Sequence, residues 1–372
     1  MRKYPLIASP IVLMAALIAA SSLSAQDLPK KEYPSPNAIV DTAPASDWKA
    51  IAASDLLVMD LALDAKGGPR RVVIQLMPPP FSQGWIGNIR KLADAKFWDG
   101  TSINRVQDNY VVQWGDAGYD NPESGETEQK ALPDDLVEVP ESEYTTSKLP
   151  DYPGPISLED ASEQQMAFLK TAMSIARLNL GHLDIFGEDR NPDQDVNNFV
   201  MARMADRYSD VNSFTRGWPV AGKRDEETLD TQFWPVHCYG MVGVGRNLSP
   251  NTGSGAELYT VIGHAPRHLD RNIAVVGRII EGIEHLSSLP RGKGQLGFYA
   301  DASKRVPIQS IRLGNDLAEA ERPKFEYLKT DSTAFAQYAD ARANRRDPFF
   351  IKPAGGADIC NIPVPVRRVK AD

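Results

Sequence analysis

Basic residues are outnumbered in this 372-residue chain, which has 41 lysines and arginines, 49 aspartates and glutamates and a formal net charge of -8. A surface that binds nucleic-acid phosphates must be basic, so this balance argues against nucleic acid as a partner. The chain also lacks Gly-x-Ser-x-Gly, His-Glu-x-x-His and a phosphate-binding loop. Nothing specific therefore supports a hydrolase, a zinc protease or a nucleotide-binding protein.

Long apolar runs are also scarce, and the N-terminal one has the pattern of a secretory signal peptide over residues 1–25. Two basic residues are followed by an apolar run over residues 6–20 and then by the small pair Ser24-Ala25. A run of about 15 apolar residues is short for a membrane span. An uncleaved anchor is the alternative. We expect a mature chain that begins near Gln26, has no stable membrane span and resides in a bacterial periplasm.

Cysteine is rare, with Cys238 and Cys360 alone in the sequence. An exported chain meets an oxidising compartment, in which one disulfide between them could clamp the C-terminal residues onto the core. The sequence does not give the distance between the two residues, so two free buried thiols remain the alternative.

Composition and pattern divide the chain after residue 25. Residues 26–55 are rich in Pro, Lys, Ser and Ala and predict a loosely held leader. Strand patterns fill residues 56–116 and 234–313. Residues 117–232 between them form an acidic, proline-punctuated insertion with little periodicity, apart from a predicted helix at 158–178. Residues 314–372 are a C-terminal extension.

Short strands and Gly-rich corners dominate the two strand-rich segments. Helical spacing of apolar residues predicts a helix over residues 84–95. Residues 281–286 are helix-like, and the extension has one helix candidate over 332–343. Strands are predicted over residues 56–61, 71–76, 234–244, 256–262, 273–280 and 306–313, besides a hairpin within 98–116. This arrangement favours a closed antiparallel barrel capped by helices.

In the hairpin segment, Trp98-Asp99-Gly100 is followed by Arg105-Val106 and then, without a gap, by the run Tyr110-Val111-Val112-Gln113-Trp114-Gly115-Asp116. This pattern resembles the active-site hairpin of cyclophilin-type peptidyl-prolyl isomerases. A second similar segment begins at His237 and includes Pro-Asn-Thr before Tyr259, and the similarity continues through Leu269-Asp270. The order of elements also agrees with the family.

The resemblance implies a mainly β fold, a cyclophilin-like closed eight-stranded barrel capped by two helices. That domain would span residues 56–313, interrupted by the partly helical insertion at 117–232 and followed by the extension. The implied activity is cis–trans isomerisation of X–Pro bonds during the folding of exported proteins, with proline-containing polypeptides as clients. No cofactor is implied.

Site residues are carried over by position. The resemblance makes Arg105 the catalytic arginine, which donates toward the prolyl nitrogen. Gln113 would order that arginine, while aromatic and aliphatic side chains would hold the proline ring. The implied substrate-binding positions are Tyr110, Val111, Gln113, Gly245, Arg246, Glu257, Tyr259, His268 and Leu269.

The sequence departs from the family pattern inside this set. Asn104 replaces the usual His or Tyr, Arg246 replaces an Asn and Glu257 replaces a Gln. We expect that Arg246 and Glu257 pair across the groove. His268 stands where the family has a tryptophan associated with cyclosporin binding, so weak cyclosporin binding is expected.

Simpler interpretations remain open. Arg105 could be a structural arginine on a barrel strand, and the apolar positions could be ordinary core. His264 and His268 are four residues apart, but Pro266 between them excludes a shared helix face, so no metal site is expected. The rival function is a peptide-binding or chaperone module with faded activity. Insertion residues that fill the groove would favour that module, and an open apolar groove beside Arg105 and Gln113 would favour catalysis.

Overall fold

A computed structural model describes residues 33–119, 121–149, 208–225 and 230–369. The predicted helix at 158–178 lies outside these ranges. Within them, no helix combines the length and the apolar character that a bilayer crossing needs.

A closed antiparallel barrel of eight strands forms the centre of the fold, as the sequence predicts. Around the barrel the strands follow the order β10-β5-β4-β12-β2-β3-β11-β9, and β9 pairs with β10 to close it. The barrel strands are β2 (Leu56–Leu61), β3 (Arg70–Leu76), β4 (Ser102–Val106), β5 (Val111–Gly115), β9 (Met241–Val244), β10 (Leu258–Val261), β11 (Val275–Glu281) and β12 (Val306–Leu313).

Two helices lie against the barrel. Helix α2 (Gln83–Asp94) packs against β12 and buries Trp85, Ile89 and Leu92, which lie three or four residues apart on one face. Helix α3 (Glu284–Ser287) is a single turn against β3, shorter than the predicted helix over 281–286.

The leader prediction is wrong over residues 33–55. Helix α1 (Pro36–Thr42) begins at Ser35, whose side chain accepts a hydrogen bond from the backbone of Ala38, and it packs against helix α4 (Thr333–Ala343). Strand β1 (Trp48–Ala50) pairs with β13 (Phe325–Leu328), which in turn pairs with β14 (Val366–Arg368). The N-terminal residues thus share a sheet with the C-terminal extension.

The insertion is also more ordered than its sequence suggests. Its described part contains a sheet of β6 (Val211–Thr215), β7 (Trp218–Arg224) and β8 (Thr231–Pro235). Arg216 and Gly217 connect β6 to β7 with positive φ at both positions, the conformation of a two-residue hairpin turn. The single strand predicted over 234–244 is wrong, because β8 ends at Pro235 and β9 starts a different sheet.

The extra elements pack on the barrel and on each other. Arg278 of β11 donates to the backbone oxygen of Gly217 at 2.8 Å, and its guanidinium lies 4.6 Å from the ring centre of Trp218. Phe214 of β6 packs edge-to-face against Phe335 of α4 at 5.0 Å. A disulfide joins Cys238 to Cys360, which confirms the proposed clamp of the extension.

Candidate active site

A β-bulge sets the position of Arg105. Along the β4–β5 pair, Ile103 lies opposite Trp114 and Arg105 lies opposite Gln113, so Asn104 is an extra residue on β4. A bulge bends its strand and re-aims the neighbouring side chains. Asn104 is buried, whereas the half-buried Arg105 reaches its neighbours on the barrel surface.

Arg105 is held by three hydrogen bonds. Its Nε donates to the backbone oxygen of Leu296 at 2.7 Å, Nη1 donates to Oε1 of Gln113 at 3.1 Å, and Nη2 donates to Oε1 of Gln107. A guanidinium has five N–H donors. In the part of the chain that the structure describes, these contacts leave a donor on each terminal nitrogen for a further acceptor.

Aromatic rings lie beside the same guanidinium. Its central carbon is 5.8 Å from the ring centre of Tyr110 and 5.6 Å from that of Phe298, whose backbone also pairs with Arg105. Burial lowers the pKa of Arg105, yet an arginine keeps its charge in proteins. The rings and hydrogen bonds therefore fix a permanent cation at this place.

One row of the barrel connects Arg105 to an apolar cluster. Gln113 lies opposite Arg105 on one side and opposite Tyr259 on the other, and Val111 lies opposite Val261 two residues further along. Side chains two residues apart share a face of a strand. Val111, Tyr259 and Val261 form a buried cluster separate from the main core, with Tyr110, Leu269 and Ile273 packed against it.

A buried histidine and aspartate hold the hydroxyl end of Tyr259. Its hydroxyl and Nε2 of His237 are 2.9 Å apart, and Nδ1 of His237 is 2.9 Å from Oδ1 of Asp270. Burial raises the pKa of Tyr259 well above its ordinary value, so the hydroxyl keeps its proton. Burial alone would raise the pKa of Asp270 too, but His237 and Arg267 outweigh it and the pKa is lowered.

Gln113 forms a second set of contacts away from Arg105. Its Nε2 donates to Oδ1 of Asn121 at 3.1 Å and to Oε2 of Glu257 at 3.2 Å. The Glu257 carboxyl is buried beside Gly115, and burial raises its pKa well above the ordinary value. Asn121 is absent from the residues chosen from the sequence, in which nothing distinguishes it from other loop asparagines.

The expected pairing of Arg246 with Glu257 is wrong. Arg246 donates from Nε to the backbone oxygen of Asn272 at 2.8 Å and from Nη1 to that of Asn247 at 2.7 Å. Glu257 meets Gln113 instead, because its side chain is buried just before β10 while Arg246 lies in the loop after β9.

The remaining predicted residues lie around these strands. His268 is exposed and stacks on Tyr110 with ring centres 6.3 Å apart, and the partly buried Leu269 borders the apolar cluster. The backbone N–H of Gly245 donates to the oxygen of Glu257 at 2.8 Å. In the described ranges, no three His, Cys, Asp or Glu side chains are grouped as metal ligands.

The neighbours of Arg105 help to decide between an isomerase and a peptide-binding module whose groove is filled by insertion residues. Its hydrogen-bond partners in the described chain are the barrel residues Gln113 and Gln107 and the loop residue Leu296. The insertion comes close at its first residues, through Asn121 on Gln113 and the charge of Glu123 near Arg105. In the described ranges, then, the side chains that hydrogen-bond to the guanidinium come from outside the insertion.

Comparisons with known proteins find one matching family model and solved structures of similar fold. The family model for the cyclophilin type peptidyl-prolyl cis-trans isomerases matches residues 71–188. The solved cyclophilin AquaCyp293 from Hirschia baltica is similar at a TM-score of 0.54 and 19% identity, covering 87% of this chain and 94% of that chain. A cyclophilin-type isomerase from Cryptosporidium parvum gives a TM-score of 0.32 and 10% identity, covering 69% and 98%. No curated protein matches the chain.

Proposed function

We propose that this chain, whose residues 71–188 match the family model of the cyclophilin type peptidyl-prolyl cis-trans isomerases, accelerates X–Pro isomerisation in exported proteins as they fold. The observation that carries the proposal is the row that places Arg105, Gln113 and Tyr259 side by side on three neighbouring strands. It puts a fixed cation next to an apolar cluster on the same face of the barrel.

The reaction needs no bond to be made or broken. Amide resonance sets a rotation barrier of about 18–20 kcal/mol, and uncatalysed X–Pro exchange takes tens to hundreds of seconds. The barrier falls when the nitrogen lone pair is withdrawn from the carbonyl, because the C–N bond then loses double-bond character. A charged donor aimed at the prolyl nitrogen stabilises that twisted state more than the planar one.

Arg105 can supply that donor. It keeps N–H groups available while Leu296 and Gln113 hold its orientation, so little reorganisation is needed during the reaction. We assign the proline ring to the cluster of Val111, Tyr259 and Leu269, which would hold the ring while the preceding carbonyl rotates.

Replacement of Arg105 tests the activity. Arg105→Ala should lower kcat/KM for a proline-containing peptide by about 10²- to 10³-fold, the usual effect of removing one preorganised donor. Arg105→Lys should fail to restore it, because an ammonium lacks the planar fork. A protease-coupled isomerisation assay on the purified mature chain measures both.

The control is Arg291→Ala. Arg291 is an exposed arginine that pairs with Asp108 at 2.8 Å and has no contact with the apolar cluster in the described structure. Its loss should leave kcat/KM within about twofold, since an exposed ion pair contributes little. A well-folded wild type without activity would overturn the proposal and favour the peptide-binding module.

The export part of the proposal rests on two features. Residues 1–25 have the composition of a signal peptide, and a disulfide between Cys238 and Cys360 suits an oxidising compartment such as the periplasm. Clients would then be newly translocated chains with X–Pro bonds. The proposal includes weak cyclosporin binding, because the exposed His268 occupies the position of the family's tryptophan.

A further inference from the structure

A buried carboxyl lies two hydrogen bonds from the guanidinium of Arg105. We propose that Glu257 is a positioning residue that acts on Arg105 through Gln113, and that its protonation state controls the isomerase activity. The inference rests on the proposed function. It assigns a role to a side chain that has almost no contact with solvent and so little access to a bound peptide.

The geometry defines the relay. Glu257 is 4% exposed, and its Oε2 accepts from Nε2 of Gln113 at 3.2 Å. The other end of the same amide, Oε1 of Gln113, accepts from Nη1 of Arg105 at 3.1 Å. Since an amide has one donating and one accepting end, the contact with Glu257 determines which end faces the arginine.

Two glycines leave the space that Glu257 occupies. A Cβ added to Gly115 would come 2.1 Å from Oε1 of Glu257, and one added to Gly245 would come 2.9 Å from its Cβ. On β4, the amide of Asn104 is buried beside the carboxyl. Within the described structure, neither that amide nor Oε1 of Glu257 has a hydrogen bond of ordinary geometry.

Charged and titratable groups surround the relay on several elements. Arg105 faces it from β4, Asp116 lies just after β5, and Glu123 is near Arg105 in the following loop. Tyr110 and Tyr259 border the arginine from the two sides of the apolar cluster. Burial raises the pKa of Glu257 first, the charge of Asp116 adds to it, and the hydrogen bonds of Gln113 and Asn121 oppose it.

Ionisation would change what Arg105 can do. A neutral carboxylic acid leaves the field of the guanidinium directed at the substrate. A buried carboxylate at the same place attracts that cation in a medium of low polarity, where charges interact strongly. The donor then stabilises a twisted prolyl nitrogen less, so kcat should fall while KM changes little, because the apolar cluster is untouched.

The test compares the pH dependence of kcat/KM for wild type, Glu257→Gln and Glu123→Gln between about pH 5 and pH 10. The amide in Glu257→Gln can still accept from Gln113 but cannot ionise. Activity of the wild type should fall by roughly threefold to tenfold on the alkaline side, and Glu257→Gln should lack this fall. Glu123→Gln, which removes a carboxylate near Arg105 outside the relay, should keep the alkaline fall of the wild type even if its activity at neutral pH differs. An equal alkaline fall in all three proteins would overturn the inference.

A spectroscopic readout separates this inference from the proposed function. The ¹⁵N resonances of the Gln113 side-chain amide and of Arg105 Nε can be assigned by their loss in Gln113→Ala and Arg105→Lys. In wild type both resonances should shift with pH and share one midpoint, and in Glu257→Gln this pH-dependent shift should be absent. If the protein is inactive but shows this pH-dependent shift, the proposed isomerase activity is refuted and the contact of Glu257 with Gln113 is not. If a well-folded wild type shows no such shift, the role of Glu257 is refuted.

Discussion

Two glycines decide where the functional side chains can lie. A Cβ at Gly243 would come 2.4 Å from the ring of Tyr259, and one at Gly115 would come 2.1 Å from Oε1 of Glu257. The tyrosine can therefore lie flat across β9, and the glutamate can turn into the barrel wall. At both positions the missing side chain on one strand makes room for the functional side chain of the next.

Tyr259→Phe tests the anchor behind the apolar cluster. The ring is retained, but Nε2 of the buried His237 loses its partner at 2.9 Å. A buried group left without its hydrogen bond costs about 1–3 kcal/mol. We expect a loss of that size in urea unfolding, with kcat/KM nearly unchanged because the ring still lines the cluster.

Tyr239→Phe is the matched control, since this tyrosine is 52% exposed. Its unfolding midpoint should not move. Equal stability of Tyr259→Phe and wild type would show that the His237 contact contributes nothing to the fold.

At the scale of elements, strongly periodic segments were predictable from the sequence. Strands β2 and β12 and helix α4 lie within a residue of their predicted bounds. The apolar run of β2 and the partial alternation of β12 favour strands, and Ser332 caps α4. The strands β6 and β7 were missed. The sequence of β6 has the polar pair Asn212-Ser213 at its centre, and that of β7 contains Pro219 and Gly222, which are rare inside strands.

The site was predictable only in part, because some of its contacts depend on features that leave no pattern in the sequence. The resemblance named Arg105, Gln113 and Tyr259, and the register places them in one row. The inward turn of Glu257 and the contact of Asn121 depend on the bulge at Asn104 and on packing between distant segments. A one-residue bulge leaves no periodic signal, so the expected pair of Arg246 and Glu257 was wrong.

Arg278→Met tests the contact between the inserted sheet and the barrel. The buried Arg278 donates twice to Oε1 of Gln75, at 2.9 and 2.7 Å, and once to the oxygen of Gly217. Burial lowers its pKa to about 10. The substitution leaves both acceptors buried, and we expect about 2–4 kcal/mol of lost stability in urea unfolding.

Arg71→Met, on the neighbouring strand β3, is the comparison. Its ion pair with Asp60 is partly exposed, so its loss should cost less than about 1 kcal/mol. Similar losses in the two variants would mean that the buried arginine does not hold the sheets together.

At the scale of the whole molecule, one disulfide spans the barrel and the extension. Cys238 follows His237 directly, and Cys360 lies 122 residues further along the chain. A disulfide that closes a long loop typically stabilises a protein by about 2–4 kcal/mol. Cys238→Ser/Cys360→Ser should lose stability of that order, measured by urea unfolding of the purified mature chain.

Reductant supplies the internal check for this prediction. It should lower the unfolding midpoint of the wild type to that of the double variant and leave the double variant unchanged. A wild type that keeps its midpoint after complete reduction would contradict it.

The sheet β1-β13-β14 has a consequence for biosynthesis. β1 emerges from the ribosome early, yet its only strand partner in the described structure, β13, lies beyond the whole barrel in the chain. Until β13 has been synthesised, β1 lacks this strand partner, and its backbone donors and acceptors are open to other chains. Contacts of such long sequence separation form slowly. The period between the first strand and its partner is when this nascent chain is most exposed to aggregation and proteases, and when it depends most on protection by other proteins.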